Sequence, residues 1–164
     1  MQYSSLASNP FGVLTAIVAP AILTNASSVL ALGTSNRLAR VVDRTRVVAE
    51  KLASLEPGSP EFLGWDSQLR PLQVRAQLLL RALRLFYAGL GLFAASALVS
   101  VGGSIAAYYG QTFLFEVGAG IAILTGAAAV IGLVSGCVLM VRETQLGVRN
   151  LSEEAKLLTR HSPS

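Results

Sequence analysis

The 164-residue sequence is short of charge, of cysteine and of histidine. Only 13% of its residues are charged, about half the fraction usual in soluble domains. A single cysteine, Cys137, cannot close a disulfide within one chain, and with His161 as the only histidine no Cys/His zinc site can form. No Ser/His/Asp set, phosphate-binding loop or pair of carboxylates inside an apolar run is present. The composition predicts a membrane protein that is not an enzyme and has no cofactor or metal.

Three apolar runs are long enough to cross a membrane, which takes about 20 mostly apolar residues. They cover residues 11–35, 85–109 and 113–141. We expect the first to be a retained helix rather than a cleaved signal peptide. It is longer than the apolar core of a signal peptide, and residues 1–10 contain no lysine or arginine.

The basic residues predict the orientation of these runs. Nine of the thirteen lie in residues 37–84 and four in residues 142–160, whereas residues 1–10 and 110–112 have none. Because basic loops stay in the cytoplasm, we expect the N-terminus outside and the C-terminus in the cytoplasm.

The basic segments also carry apolar residues at 3,4 spacing, which is typical of helices packed along one another. We therefore predict an all-α membrane protein with three transmembrane helices and long helical extensions that form a coiled bundle in the cytoplasm. The three seams are Leu38, Val41, Thr45, Val48, Leu52 and Leu55; Leu69, Leu72, Ala76, Leu79, Leu83 and Phe86; and Val141, Thr144, Val148, Leu151, Ala155 and Leu158. The predicted order is an outside tail (1–10), transmembrane helix 1 (11–35), a cytoplasmic amphipathic helix (36–55), a cytoplasmic turn (56–69), a cytoplasmic helix that continues into transmembrane helix 2 (70–109), an outside turn (110–112), transmembrane helix 3 (113–141), a cytoplasmic C-terminal helix (142–160) and a tail (161–164).

Polar residues interrupt the first run near its middle, at Thr24, Asn25 and Ser28. Asn25 is roughly 18 Å along the helix from Arg37 and thus near the bilayer centre, where lipid offers no hydrogen-bond partner. Two interpretations stay open: hydrogen bonds to another helix, in the same chain or a second copy, or a polar pathway through the membrane. The same two interpretations apply to Ser96, Ser100 and Ser104 in the second run.

Small residues recur at four-residue steps in the third run. Such steps let helix backbones approach closely, so we predict that they pack helices and favour a homo-oligomer or a larger membrane complex. The glycines in these steps are Gly118, Gly126, Gly132 and Gly136.

The segment after the first run is predicted to carry a cytoplasmic charge network. Its partners among the acidic residues are left open between nearby Asp43 and Glu50 and the distant Glu153 and Glu154. Solvated helix faces and binding to anionic lipid headgroups both fit this segment, and nucleic acid is not expected because many of the arginines have acidic neighbours. The network comprises Arg37, Arg40, Asp43, Arg44 and Arg46.

Residues 14–46, LTAIVAPAILTNASSVLALGTSNRLARVVDRTR, resemble the signature of a bacterial family of small membrane proteins, the domain-of-unknown-function family 2721. This resemblance implies a protein of the bacterial inner membrane and supplies no activity. The residues that carry it are Thr15, Ala16, Ile17, Ala19, Pro20, Asn36, Arg37, Leu38, Arg40, Asp43, Arg44 and Arg46.

In architecture the chain also resembles the TolQ, ExbB and MotA proton-channel proteins. It lacks their acidic residue within the third span, since Glu116 lies at the edge of that run. We therefore expect a self-associating structural or accessory subunit. The alternative is a homo-oligomeric channel for ions or small solutes.

Overall fold

Three long helices make up the described part of the chain. The computed structural model describes the backbone of residues 10–160, and the side chains of Val18 and of residues 21–148. Helix α1 spans Pro10–Ala53, α2 spans Pro60–Tyr108 and α3 spans Thr112–Arg160. The prediction of an all-helical fold is confirmed. Apart from Pro10, the two predicted terminal tails lie outside the described residues.

The break between α1 and α2 is shorter than the sequence predicts. A turn is predicted over residues 56–69, whereas α2 begins at Pro60. Ser59 caps this helix, since the Phe62 N–H donates to the Ser59 hydroxyl at 3.2 Å. Pro60 takes the first helical position, where its missing N–H leaves no bond unmade. Pro71 therefore lies inside α2.

A tight turn joins α2 to α3. The Gln111 N–H donates to the Ala106 carbonyl at 2.9 Å, and the Gly110 N–H donates to the Ala107 carbonyl at 3.0 Å. Gly110 has a φ of 74°, which is the left-handed conformation that a Schellman motif requires. Because the chain reverses within residues 109–111, α2 and α3 are sequential neighbours with a short connection.

Two helices are long and apolar enough to cross a membrane. Within the described residues these are α2 and the Thr112–Val148 part of α3. Leu98, Ile123 and Leu124 expose their side chains on these helices, unlike the core helices of a soluble protein. The first predicted span, residues 11–35, includes side chains outside the described range.

The contacts divide the chain into two compact units. The apolar unit comprises the chain up to Ala31 together with Leu85–Val134, and its one charged residue is Glu116. The basic unit comprises Leu32–Arg84 and the chain from Ser135 onward. It contains all thirteen Lys and Arg residues and eight of the nine Asp and Glu residues.

Two of the predicted seams are buried or half-buried along their length. Val41 and Val48 are buried on α1, and Leu79 and Phe86 are buried on α2. The 3,4 spacing of apolar residues thus identifies the packed faces of α1 and α2.

The predicted seam of α3 is wrong where its side chains are described. Val141 is 56% exposed and Val148 is 62% exposed, and Thr144 is exposed as well. The buried face instead repeats every seven residues and includes a carboxylate, because small residues and an ion-paired side chain fit between close helices. Its members are Ala122, Ala129, Gly136 and Glu143. The side chains of Leu151, Ala155 and Leu158 lie outside the described range.

Candidate functional site

Glycines of α3 lie against α2 in the apolar unit. A methyl group added at Gly118 would lie 3.6 Å from the Cα of Gly103, and one added at Gly132 would lie 3.7 Å from the Leu85 carbonyl oxygen. A methyl group at Gly126 would lie 3.5 Å from the Ser96 hydroxyl oxygen. A methyl group at each of these positions would be in van der Waals contact with α2, so the two helices lie close together at these glycines. Gly136, the last of the predicted packing glycines, is buried in the basic unit.

The three serines of the second run do not all make the same kind of bond. Ser96 donates its hydroxyl to the Ala122 carbonyl at 2.8 Å, which links α2 to α3. Ser100 and Ser104 each donate to the carbonyl four residues earlier on their own helix, both at 2.9 Å. Ser96 therefore joins helices, whereas the other two hydroxyls are satisfied locally.

The polar cluster of α1 is split between opposite environments. Ser27 is fully buried, and its hydroxyl has no hydrogen-bond partner within the described part of the chain. Ser28 is exposed and donates to the Thr24 carbonyl at 3.0 Å. Asn25 is exposed. Of the three predicted polar residues, Asn25 and Ser28 are thus exposed and Thr24 is half-buried.

Asn25 lies on an exposed apolar face of α1. Val18, Ile22 and Val29 are 40%, 62% and 63% exposed, and with Asn25 they follow a 4,3,4 spacing. This spacing places the four side chains on one stripe of the helix. We call the set Val18, Ile22, Asn25 and Val29 the Asn25 stripe.

A buried carboxylate is the centre of the basic unit. Glu143 on α3 is 2% exposed. Its Oε1 accepts a hydrogen bond from Arg75 Nε at 2.8 Å and lies 2.7 Å from Arg75 Nη2. Its Oε2 lies 3.8 Å from Arg37 Nη1, and the same Arg37 nitrogen donates to the Thr144 hydroxyl at 3.2 Å. Arg75 on α2 and Arg37 on α1 are thereby both placed next to one residue of α3.

Arg75 fits beside α3 because Gly147 has no side chain. A methyl group added at Gly147 would lie 3.2 Å from Arg75 Nη2 and 3.3 Å from Arg75 Cζ. Gly147 is buried, one turn after Glu143. The glycine therefore leaves the space in which the guanidinium meets the carboxylate.

A cavity of about 500 Å³ adjoins this ion pair. Its volume falls within the range of about 300–1,000 Å³ that is typical of ligand sites. Of the predicted charge network, Arg37, Arg40 and Arg44 line the cavity, whereas the exposed Asp43 and Arg46 do not. Arg75, Glu143 and Thr144 line it as well.

The acidic partner of Arg37 within the described residues is Glu143, which the sequence analysis does not propose. Within the described residues, neither Asp43 nor Glu50 forms an ion pair, and Glu143 takes that role. The side chains of Glu153 and Glu154 lie outside the described range. One signal for Glu143 is present in the sequence, since it falls seven residues after Gly136 on the stripe of small residues.

Comparison with known proteins identifies a family. A family model described as "Protein of unknown function (DUF2721)" matches residues 17–153, which is most of the chain. This match confirms the resemblance carried by residues 14–46. No curated protein and no solved structure shows significant similarity to the chain.

Proposed function

The chain belongs to the DUF2721 family, and we propose that it is a three-pass protein of the bacterial inner membrane that self-associates as a non-enzymatic structural or accessory subunit. The observation that carries this proposal is the exposed amide of Asn25 within an apolar stripe. The family description supplies no activity.

A third crossing by α1 is supported by its length and composition. The helix has 44 residues and is roughly 66 Å long, about twice the thickness of the hydrocarbon core. Residues 11–35 contain no charged side chain. With α2 and α3 also long and apolar enough to cross, the chain would traverse the membrane three times.

The distribution of charge supports an outside N-terminus and a cytoplasmic C-terminus. All thirteen basic residues belong to the basic unit, as the positive-inside rule requires if that unit is cytoplasmic. Tyr108 and Tyr109 are exposed at the end of α2, with their rings edge to face and 5.5 Å apart. Tyrosines of this kind favour the headgroup level, here that of the outer surface.

Self-association follows from placing the Asn25 stripe in lipid. Neither the amide N–H groups nor the amide oxygen can find a partner among acyl chains. A second copy of α1 offers the same stripe and the same amide, so two copies can bond to each other. A single asparagine in an apolar 3,4 seam also sets the register and copy number of packed helices.

Reporter fusions test the topology. We expect a reporter active only in the cytoplasm to be active at the C-terminus and inactive at the N-terminus. A reporter that is active at both ends would show two crossings or four and would contradict a third crossing by α1.

Mass measurement of the full-length protein in a mild maltoside detergent tests self-association. We expect an oligomer, and we expect Asn25→Leu to weaken association about tenfold because an interhelical amide bond contributes about 1–2 kcal/mol. Asn25→Gln is the matched control, since it keeps the amide and should retain the oligomer. A monomeric wild-type protein without a co-purifying partner would contradict the proposal.

Planar-bilayer recording separates this function from the channel alternative. The hydroxyls of Ser100 and Ser104 bond to their own helix, which supports a role in packing rather than in a polar pathway. We therefore expect pure protein to carry no current. A current that Asn25→Leu abolishes would instead favour the channel.

A further inference from the structure

The cavity of the basic unit carries a large excess of positive charge. Four arginines line it, Arg37, Arg40, Arg44 and Arg75, against the single carboxylate of Glu143. Four guanidinium groups are held around one space of about 500 Å³, although like charges repel at such range. Solubility alone does not require four arginines to line the same cavity.

Glu143 fixes the geometry of the cavity without neutralising it. Its carboxylate holds Arg75 through two nitrogens and has Arg37 at 3.8 Å. A guanidinium has five N–H donors in a fixed plane, so an arginine held on one side still has donors for a ligand on the other. Donors that are positioned before binding lose little entropy when a ligand arrives.

Arg40 and Arg44 lack a carboxylate partner within the described residues. Arg40 donates to the Asn36 carbonyl of its own helix at 3.4 Å. Arg44 donates to the Gln68 side-chain oxygen at 3.4 Å, and its Cζ lies 5.8 Å from the centre of the Trp65 ring. These neutral partners leave both positive charges uncompensated.

We propose that this cavity binds a phosphate-bearing anion. Arginine pairs bidentately with phosphate oxygens, and one phosphate group has enough acceptor oxygens to bond to more than one guanidinium group. Inorganic phosphate and the headgroup of an anionic phospholipid share this chemistry. The proposal does not depend on self-association, because all of the lining residues lie within one chain.

Two binding measurements on the full-length protein in maltoside detergent distinguish the two sources. The first is equilibrium dialysis with radiolabelled inorganic phosphate, with chloride added to hold the ionic strength constant. The second is native mass spectrometry of mixed micelles that contain either phosphatidylglycerol or a diacylglycerol with the same acyl chains and no phosphate. Trp65 is the only tryptophan, so a change in its fluorescence would place the ligand next to Arg44.

Arg40→Gln and Arg46→Gln are a matched pair for both measurements. Both arginines are exposed on α1 and both substitutions remove one charge, but only Arg40 lines the cavity. We expect Arg40→Gln to weaken binding about tenfold, as the loss of a charged hydrogen bond would. Arg46→Gln should weaken it by less than about threefold, because Arg46 does not line the cavity and salt screens an exposed charge.

Each outcome is decisive. Binding of phosphate, of phosphatidylglycerol in preference to diacylglycerol, or of both supports the site when Arg40→Gln reduces it selectively. The proposal is overturned if the wild-type protein binds neither probe, or if Arg46→Gln reduces binding as much as Arg40→Gln does, since the attraction would then belong to the whole basic surface.

Discussion

The apolar unit and the basic unit hold their helices together by different means. In the apolar unit Phe86 and Phe93 are buried, and α2 and α3 lie close together at glycines: Gly118 lies against Gly103, and Gly126 lies against Ser96. In the basic unit Val48 and Leu79 are buried, and a carboxylate from α3 also meets arginines from α1 and α2.

Lipid and water would favour different contacts between helices. Water drives apolar side chains together, so in water a seam of valine and leucine is sufficient to pack helices. Lipid supplies no such drive, and helices associate there through close backbone contact and hydrogen bonds. The contrast between the two units is therefore the one expected if the apolar unit lies in the membrane and the basic unit in the cytoplasm.

Removing Arg75 should have the largest effect on stability. It would disturb contacts in the basic unit and leave those of the apolar unit in place. The side chains of Arg75 and Glu143 are 30% and 3% exposed, so Arg75→Met leaves a buried carboxylate with only the longer contact to Arg37 at 3.8 Å. We expect a loss of about 3 kcal/mol in the free energy of unfolding. Thermal unfolding in maltoside detergent, followed by circular dichroism, measures it.

Arg81→Met is the control for that prediction. Arg81 is an exposed arginine on the same helix, and its loss should change the free energy of unfolding by less than about 0.5 kcal/mol. Equal losses in the two variants would mean that the Arg75–Glu143 pair does not hold the basic unit.

Filling a close contact between α2 and α3 should destabilise the apolar unit, with a somewhat smaller effect. A leucine at position 118 meets Gly103 and Val99 on α2, so Gly118→Leu should cost about 2 kcal/mol. At Gly120, by contrast, no atom lies within 4 Å of an added methyl group. If Gly120→Leu destabilised the protein as much in the same unfolding assay, the close approach of α2 and α3 would not be the cause.

Deleting one hydroxyl should have the smallest effect on the free energy of unfolding. It distinguishes a hydrogen bond that joins two helices from one within a single helix. Ser96→Ala removes the hydrogen bond from α2 to the Ala122 carbonyl, which should cost about 0.6 kcal/mol. Ser100→Ala removes a bond within one helix and should be close to neutral. The same unfolding measurement in lipid nanodiscs would reverse this order only if Ser100, and not Ser96, joined the helices.

Much of the fold could be predicted from local patterns in the sequence. The apolar runs identify α2 and α3 as helices able to cross a membrane, and 3,4 spacing identifies the buried faces of α1 and α2. The start of α2 was harder to predict. Ser59 and Pro60 are residues that favour a helix start, but they mark the start of α2 only if the helix continues through Pro71, which a proline disfavours.

The site was predictable only in part, because its main contact joins distant residues. Arg37, Arg40 and Arg44 stand out as a basic cluster, but the spacing of residues within α1 says nothing of α3. A search for apolar residues at 3,4 spacing selects Val141 and Val148, which are exposed. It does not select Glu143 and Gly147, which are buried. A carboxylate can occupy a packed face only with a cationic partner, and Arg75 lies 68 residues away in sequence.

The reversal at Gly110 bears on how the chain reaches its final arrangement. With three residues between α2 and α3, bringing the two helices together closes almost no loop, so little chain entropy opposes their pairing. The glycine contacts between α2 and α3 can therefore form as soon as α3 has been synthesised, without first requiring contacts with α1. We expect α2 and α3 to enter the bilayer as a ready-made hairpin, with α1 joining as a separate event.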